Sequence, residues 1–167
     1  MNRAFNDDGL PVGYPFKPSY EIAPRPAAEL LRRGEALLVD VRLAEEREVA
    51  RLPGVRDELH APLHELNEHL DDIEEAAQGR PILTLCHHGV RSIKAALALR
   101  GCGFEAVHSI AGGIENWSQA IDPSVPRYTR DGAQCTPLAS QSQPGQEQPG
   151  ACQCRPSQGR LGSSGPG

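Results

Sequence analysis

The apolar run Ile82-Leu83-Thr84-Leu85 stops at Cys86-His87-His88-Gly89-Val90-Arg91-Ser92, and an Ala/Leu-rich stretch continues to Arg100. A short apolar segment, a tight glycine-bearing loop and then a helix form the repeating unit of an α/β fold, and few other architectures accommodate that order. Cys86 sits where the strand ends. A thiol at such a junction faces a fan of unpaired backbone N–H groups and the positive end of the helix dipole, which favours its thiolate. Gly89 lets the loop curl enough to aim successive N–H groups inward. Cys86 is therefore the expected nucleophile. The competing reading, a buried and inert core cysteine, fits a strand-to-helix junction less well.

The rest of the chain repeats the pattern. Strands are expected over Ala36 to Val41, Pro81 to Leu85 and Ala106 to Ile110. Between them, Pro24 or Pro26 opens a helix carrying Leu30 and Leu31 that Gly34 ends. Ala44 to Ala50 reads as a short charged helix, and Leu63, Leu66, Leu70 and Ile73 recur at helical spacing. Ser92 to Arg100 and a short segment around Trp117 supply the last helices. Strands alternating with helices predict a parallel sheet covered on both faces, with the Cys86 loop at the carboxyl end of a strand, where open α/β sheets bind ligands. At 167 residues the chain holds one such domain plus extensions.

Loop length narrows the chemistry. Four residues separate Cys86 from Arg91, whereas a cysteine phosphatase needs one more to wrap a tetrahedral phosphate. The loop resembles that of the rhodanese family of single-domain sulfurtransferases, in which Cys-x-x-Gly-x-Arg-Ser is common. Leu37-Leu38-Val39-Asp40-Val41-Arg42 is similar to the family strand ending in Asp-x-Arg, with Glu46 four residues on. Leu52-Pro53-Gly54-Val55 resembles its Ile-Pro-Gly-Ala element, and Gly112-Gly113-Ile114-Glu115-Asn116-Trp117 its Gly-Gly-x-x-x-Trp closure. The resemblance implies an open parallel five-stranded sheet with helices on both faces. It further implies that Cys86 takes sulfane sulfur from a small donor such as thiosulfate and passes it to a thiol or cyanide, with no metal or organic cofactor. A persulfide carrier or sulfane-sulfur sensor is the alternative, with a protein acceptor left open; a thiol phosphatase or arsenate reductase ranks below both. Arg47, Ala50 and Arg51 depart from the family pattern, which implies different local packing and a more basic entrance.

Around the nucleophile, His87, His88, Gly89, Val90, Arg91 and Ser92 are the expected substrate-binding residues, through loop N–H groups and side chains. Protonated His87 and His88 would add positive potential at the mouth. The Arg91 fork either grips sulfonate oxygens or pairs with Asp40 or Glu46. Asp40, Arg42 and Glu46 are expected to support the loop from behind. Cys102 is expected to be a small packed residue and Trp117 part of the core.

Composition sets the outer limits. A net charge of -5 with no basic cluster argues against a nucleic-acid surface. The N-terminus lacks the apolar stretch of a signal peptide and no run approaches spanning length, so a cytoplasmic protein without membrane contact is expected. Five cysteines at irregular spacing do not form a disulfide framework, and adjacent His87 and His88 diverge too much to share a metal. Residues 1–18 are expected to form an extended arm against a domain spanning 19–122. Residues 123–167, rich in Pro, Gln, Gly and Ser, are expected to be disordered. That tail carries Cys135, Cys152 and Cys154, which are either incidental or, for the last two, sulfur acceptors for Cys86.

Overall fold

Odd and even positions of the central strands bury against different helices. In this computed structural model, which describes residues 4–132 and 134–138, Leu38, Leu83 and Leu85 pack on one face with Ala27, Leu31, Ile114 and Trp117. Leu37, Val39 and Ile82 pack on the other with Ile73, Ala95 and Leu99. Strands apolar on both faces are what a parallel sheet sandwiched by helices requires.

The sheet contains β1 (Glu21–Ile22), β2 (Leu37–Asp40), β3 (Glu58–His60), β4 (Ile82–Leu85) and β5 (Val107–Ile110), ordered β1-β5-β4-β2-β3. Every pairing is parallel, with Asp40 opposite Leu85 at the ends of the two central strands. Helices α1 (Pro24–Arg33) and α5 (Gly113–Ala120) cover one face. On the other lie α3 (Leu70–Ala77), continuous with a 3-10 turn at Leu66–His69, and α4 (Val90–Gly101). Short α2 (Ala44–Val49) leaves the end of β2. Proline opens α1, and Gly34 at φ 72° closes it by returning its N–H to the carbonyls of Leu30 and Leu31.

The chain crosses from β4 to β5 on one side and from β2 to β3 on the other, so a crevice opens at the carboxyl ends of β2 and β4. Asp40 ends β2 and Cys86 follows β4, both buried at the base of this crevice.

Both flanks are organised, and here one expectation needs correction. The arm does lie on the domain: Leu10 is buried, Asn116 Nδ2 donates to Gly9 O at 3.0 Å, and Tyr14 joins the site from behind. Residues 123–138, however, are not a disordered tail. Tyr128–Asp131 (β6) and Gln134–Pro137 (β7) pair as an antiparallel hairpin. Gly132, at φ 59°, turns the chain between the two strands. Tyr128 is buried in the core of the α1/α5 face, and Cys135 packs against the same cluster. Cys152 and Cys154 lie outside the described residues. Among the described residues no helix is long and apolar enough to cross a membrane.

Candidate active site

Cys86 follows β4 directly, and its side chain is buried at the floor of a cleft. Its Sγ receives the Gly89 N–H at 3.1 Å and lies 3.3 Å from Ser92 Oγ. Gly89 holds φ at 101°, which a residue with a Cβ rarely adopts, and this conformation turns its N–H back onto the sulfur. Beneath the thiol a second hydroxyl appears that the sequence did not suggest. Ser109, buried on β5, lies 2.8 Å from Ser92 Oγ, while the Gly89 carbonyl is 3.0 Å from the same oxygen. Ser92 owns one proton. When that proton points at a thiolate, the Ser109 hydroxyl can donate to a lone pair of Ser92 Oγ, so sulfur, Ser92 and Ser109 form a short hydrogen-bonded chain.

Helix α5 fixes the other half of the loop. The N–H groups of Ile114 and Glu115 donate to the carbonyls of Cys86 and His87 at 2.9 and 3.1 Å. Two unpaired donors at a helix start thus satisfy two loop acceptors. The approach is possible because Gly113, at φ 63°, has no Cβ; one placed there would collide with the Cys86 and His87 carbonyl oxygens. From the arm, Tyr14 donates to Glu21 Oε1 at 2.7 Å and accepts the Gly112 N–H at 3.0 Å, clamping the same turn.

Behind the loop, Asp40 and Arg42 form a fully buried pair, with Arg42 Nε and Nη2 donating at 2.9 and 2.6 Å. The remaining Arg42 donors reach the Ala50 carbonyl and Tyr128 Oη, so the buried charge is satisfied. Glu46, equally buried, accepts from Arg91 Nη1 and Nη2, each at 2.6 Å, from the Leu43 N–H at 3.1 Å and from Tyr128 Oη at 3.0 Å. Burial alone would push its carboxyl up; the Arg91, Leu43 and Tyr128 hydrogen bonds outweigh burial and hold it at about 2. Arg91 therefore takes the ion-pair option. Its fork is occupied by Glu46, not aimed at the sulfur.

His87 also departs from expectation. It is buried, stacked between His88 (centroids 3.9 Å apart) and Tyr128 (4.1 Å apart). Burial, followed by repulsion from His88, lowers it to about 4, so at neutral pH it adds no positive charge to the mouth. His88 and Val90 are exposed at the rim. The departures at 47, 50 and 51 do not make the entrance basic. Arg47 turns to Asp40 and Glu58, Ala50 is buried, and Arg51 bonds the Arg47 carbonyl. Guanidinium groups do reach the mouth, but they come from Arg127 and Arg130 beside and within the hairpin. Cys102 is exposed instead of packed, whereas Trp117 is core.

Known proteins are similar to this chain over the domain. A thiosulfate sulfurtransferase GlpE from Pseudomonas syringae pv. syringae is 38% identical over 94 residues, 56% of this chain and 83% of that one. The Rhodanese-like/PpiC domain-containing protein 12, chloroplastic, of Arabidopsis thaliana is 38% identical over 95 residues, 56% of this chain, which spans only 31% of the plant protein's length. A solved thiosulfate sulfurtransferase from Pseudomonas aeruginosa superposes with a TM-score of 0.52 at 26% identity, over 60% of this chain and 19% of that one. The family model described as Rhodanese-like domain matches residues 23–120, from the start of α1 to the end of α5. That span contains four of the five sheet strands, β2 to β5, and the whole Cys86 loop, and by it the chain belongs to the rhodanese-like domain family.

Proposed function

We propose that the protein is a sulfurtransferase that carries sulfane sulfur on Cys86. The observation that carries this reading is the short loop holding a buried thiol between the Gly89 N–H and the Ser92 hydroxyl, two donors preorganised to stabilise negative charge on sulfur. The similarity to thiosulfate sulfurtransferases supports thiosulfate as donor. In the first half-reaction the Cys86 thiolate attacks the outer sulfur of thiosulfate; a Sγ–S bond forms, the S–S bond of thiosulfate breaks, and its electron pair leaves with sulfite. In the second, an acceptor thiolate or cyanide attacks the outer sulfur of the persulfide and the electron pair returns to Sγ. Neither half requires an external oxidant. Both half-reactions are written without a metal or organic cofactor, and their need for reduced thiols fits a reducing compartment such as the cytoplasm.

Intact-mass measurement tests the reading. Thiosulfate should add one sulfur to the protein, and peptide mapping should place it on Cys86. Cys86→Ser should lose both the adduct and thiosulfate:cyanide transfer. Undiminished transfer by that variant would remove the proposal.

A further inference from the structure

The cleft above Cys86 is larger and differently lined than an inorganic sulfur donor needs. Its volume is about 660 Å³, in the range that holds organic ligands of drug size. Much of its far wall comes from residues 127–138, beyond the segment that the rhodanese-like family model covers. Three guanidinium groups, those of Arg91, Arg127 and Arg130, line it against one carboxylate, Glu115. Arg91 is held by Glu46, and Arg127 by Glu115 through Nε at 2.8 Å and Nη2. Arg130 donates from Nε to the Gly132 carbonyl, and its Nη1 stands 3.6 Å from Glu46. Among the described residues, Arg127 Nη1 and Arg130 Nη2 have no protein partner. Planar donors left open on one wall of a cleft suit a carboxylate.

The rim supplies a second, independent observation. Val90 is 66% exposed and Leu138 41%, and both line this cleft. They are two of the four large hydrophobic side chains exposed among the described residues. Thiosulfate, small and doubly charged, gains nothing from an apolar rim; a carbon-bodied ligand does.

We propose that the hairpin wall is the binding site for the sulfur acceptor, an organic thiol bearing a carboxylate that Arg127 and Arg130 engage while its carbon body lies along Val90 and Leu138. This rests on the sulfurtransferase reading above and names the class of its second substrate. The acceptor thiolate attacks the outer sulfur of the Cys86 persulfide, the acceptor–sulfur bond forms as the Sγ–S bond breaks, and the electron pair returns to Sγ.

The test follows single-turnover unloading of the full-length Cys86 persulfide by intact mass, with 3-mercaptopropionate and its methyl ester as paired acceptors. The wild-type protein should prefer the acid, after correction for thiolate fraction. In the double variant Arg127→Gln/Arg130→Gln the preference should fall by about tenfold, with the ester rate within about twofold of wild type. Raising ionic strength on the wild-type protein should erode the same preference, a readout that needs no variant. A preference unmoved by both the substitutions and salt overturns the proposal. Equal losses for acid and ester, with no response to salt, also overturn it, because they assign the arginines to holding the hairpin. Failure of thiosulfate to load Cys86 counts instead against the sulfurtransferase reading. Loading the thiol with inorganic polysulfide keeps the acceptor comparison measurable in that case.

Discussion

Glu46 and His87 make the site acid-sensitive, and the sign follows from their shifts. His87 is lowered from 6.5 to about 4 in the folded chain. Between those values the unfolded chain binds more protons, so stability is lost as pH falls from 6.5 towards 4. Glu46 is lowered from 4.5 to about 2, so its contribution is complete above 4.5 and is lost as pH falls towards 2. Thermal denaturation at stepped pH should show two adjoining windows of declining Tm. His87→Gln should flatten the upper window and Glu46→Gln the lower one, each leaving the other in place; a Tm independent of pH from 7 down to 3 would contradict both assignments. Beneath the sulfur, Ser109→Ala should leave the fold intact and slow the loading of Cys86 by roughly fivefold, the worth of about one hydrogen bond in the transition state. Loading at the wild-type rate would show that Ser92 needs no donor behind it.

Among the elements, the junction of α5 with the Cys86 loop is the tightest. Gly113→Ala places a Cβ against two carbonyl oxygens at a positive φ, and should cost at least about 2 kcal/mol of stability and most sulfur loading. Denaturant titration and intact mass read the two effects separately. The α5 contact was not legible in the sequence, but the loop's own unit was: β4, the loop and α4 lie within two residues of their expected bounds, because an apolar run, a glycine and a helix are local signals. The sequence disclosed β1 and β3 poorly. Glu21–Ile22 is too short to show a period, and Glu58–His60 has one apolar residue of three. The hairpin was hidden for another reason. An isolated two-stranded ribbon is marginal in water, and this one is anchored by Tyr128, whose ring stacks on His87 and whose hydroxyl joins Arg42 and Glu46, 86 and 82 residues away. Composition argued for disorder, and only such long-range contacts overrule it. Ser109, 17 residues from Ser92, is legible only in space for the same reason, whereas the Arg91–Glu46 pair was one of two options open in the sequence and the fold selects it.

On the scale of the molecule, the two flanks close around the reactive loop from opposite ends of the sequence. A chain ending at Pro126 loses Tyr128 and should be destabilised by about 3 kcal/mol, the usual cost of deleting a buried aromatic side chain. A chain ending at Leu138 retains every contact described above and should load sulfur from thiosulfate at the full-length rate. Loading by the shorter chain at full rate and full stability would show that the hairpin only rests on the domain. Should the chain ending at Leu138 unload more slowly to thiols, with persulfide mapped to Cys152 or Cys154 in the full chain, those cysteines act as relay sites.

The position of the two tyrosines bears on how this domain can be moved between proteins. Cut at the family limits of 23 and 120, it would leave behind Tyr14, which accepts the Gly112 N–H, and Tyr128, which faces Arg42, Glu46 and His87. The severed module would keep its nucleophile but expose one face of a buried imidazole and strip a hydrogen bond from a buried guanidinium. Swapping this unit into a fusion therefore calls for splice points before Gly9 and after Leu138. A graft made at the homology boundaries would transplant the chemistry without the brackets that hold it in register.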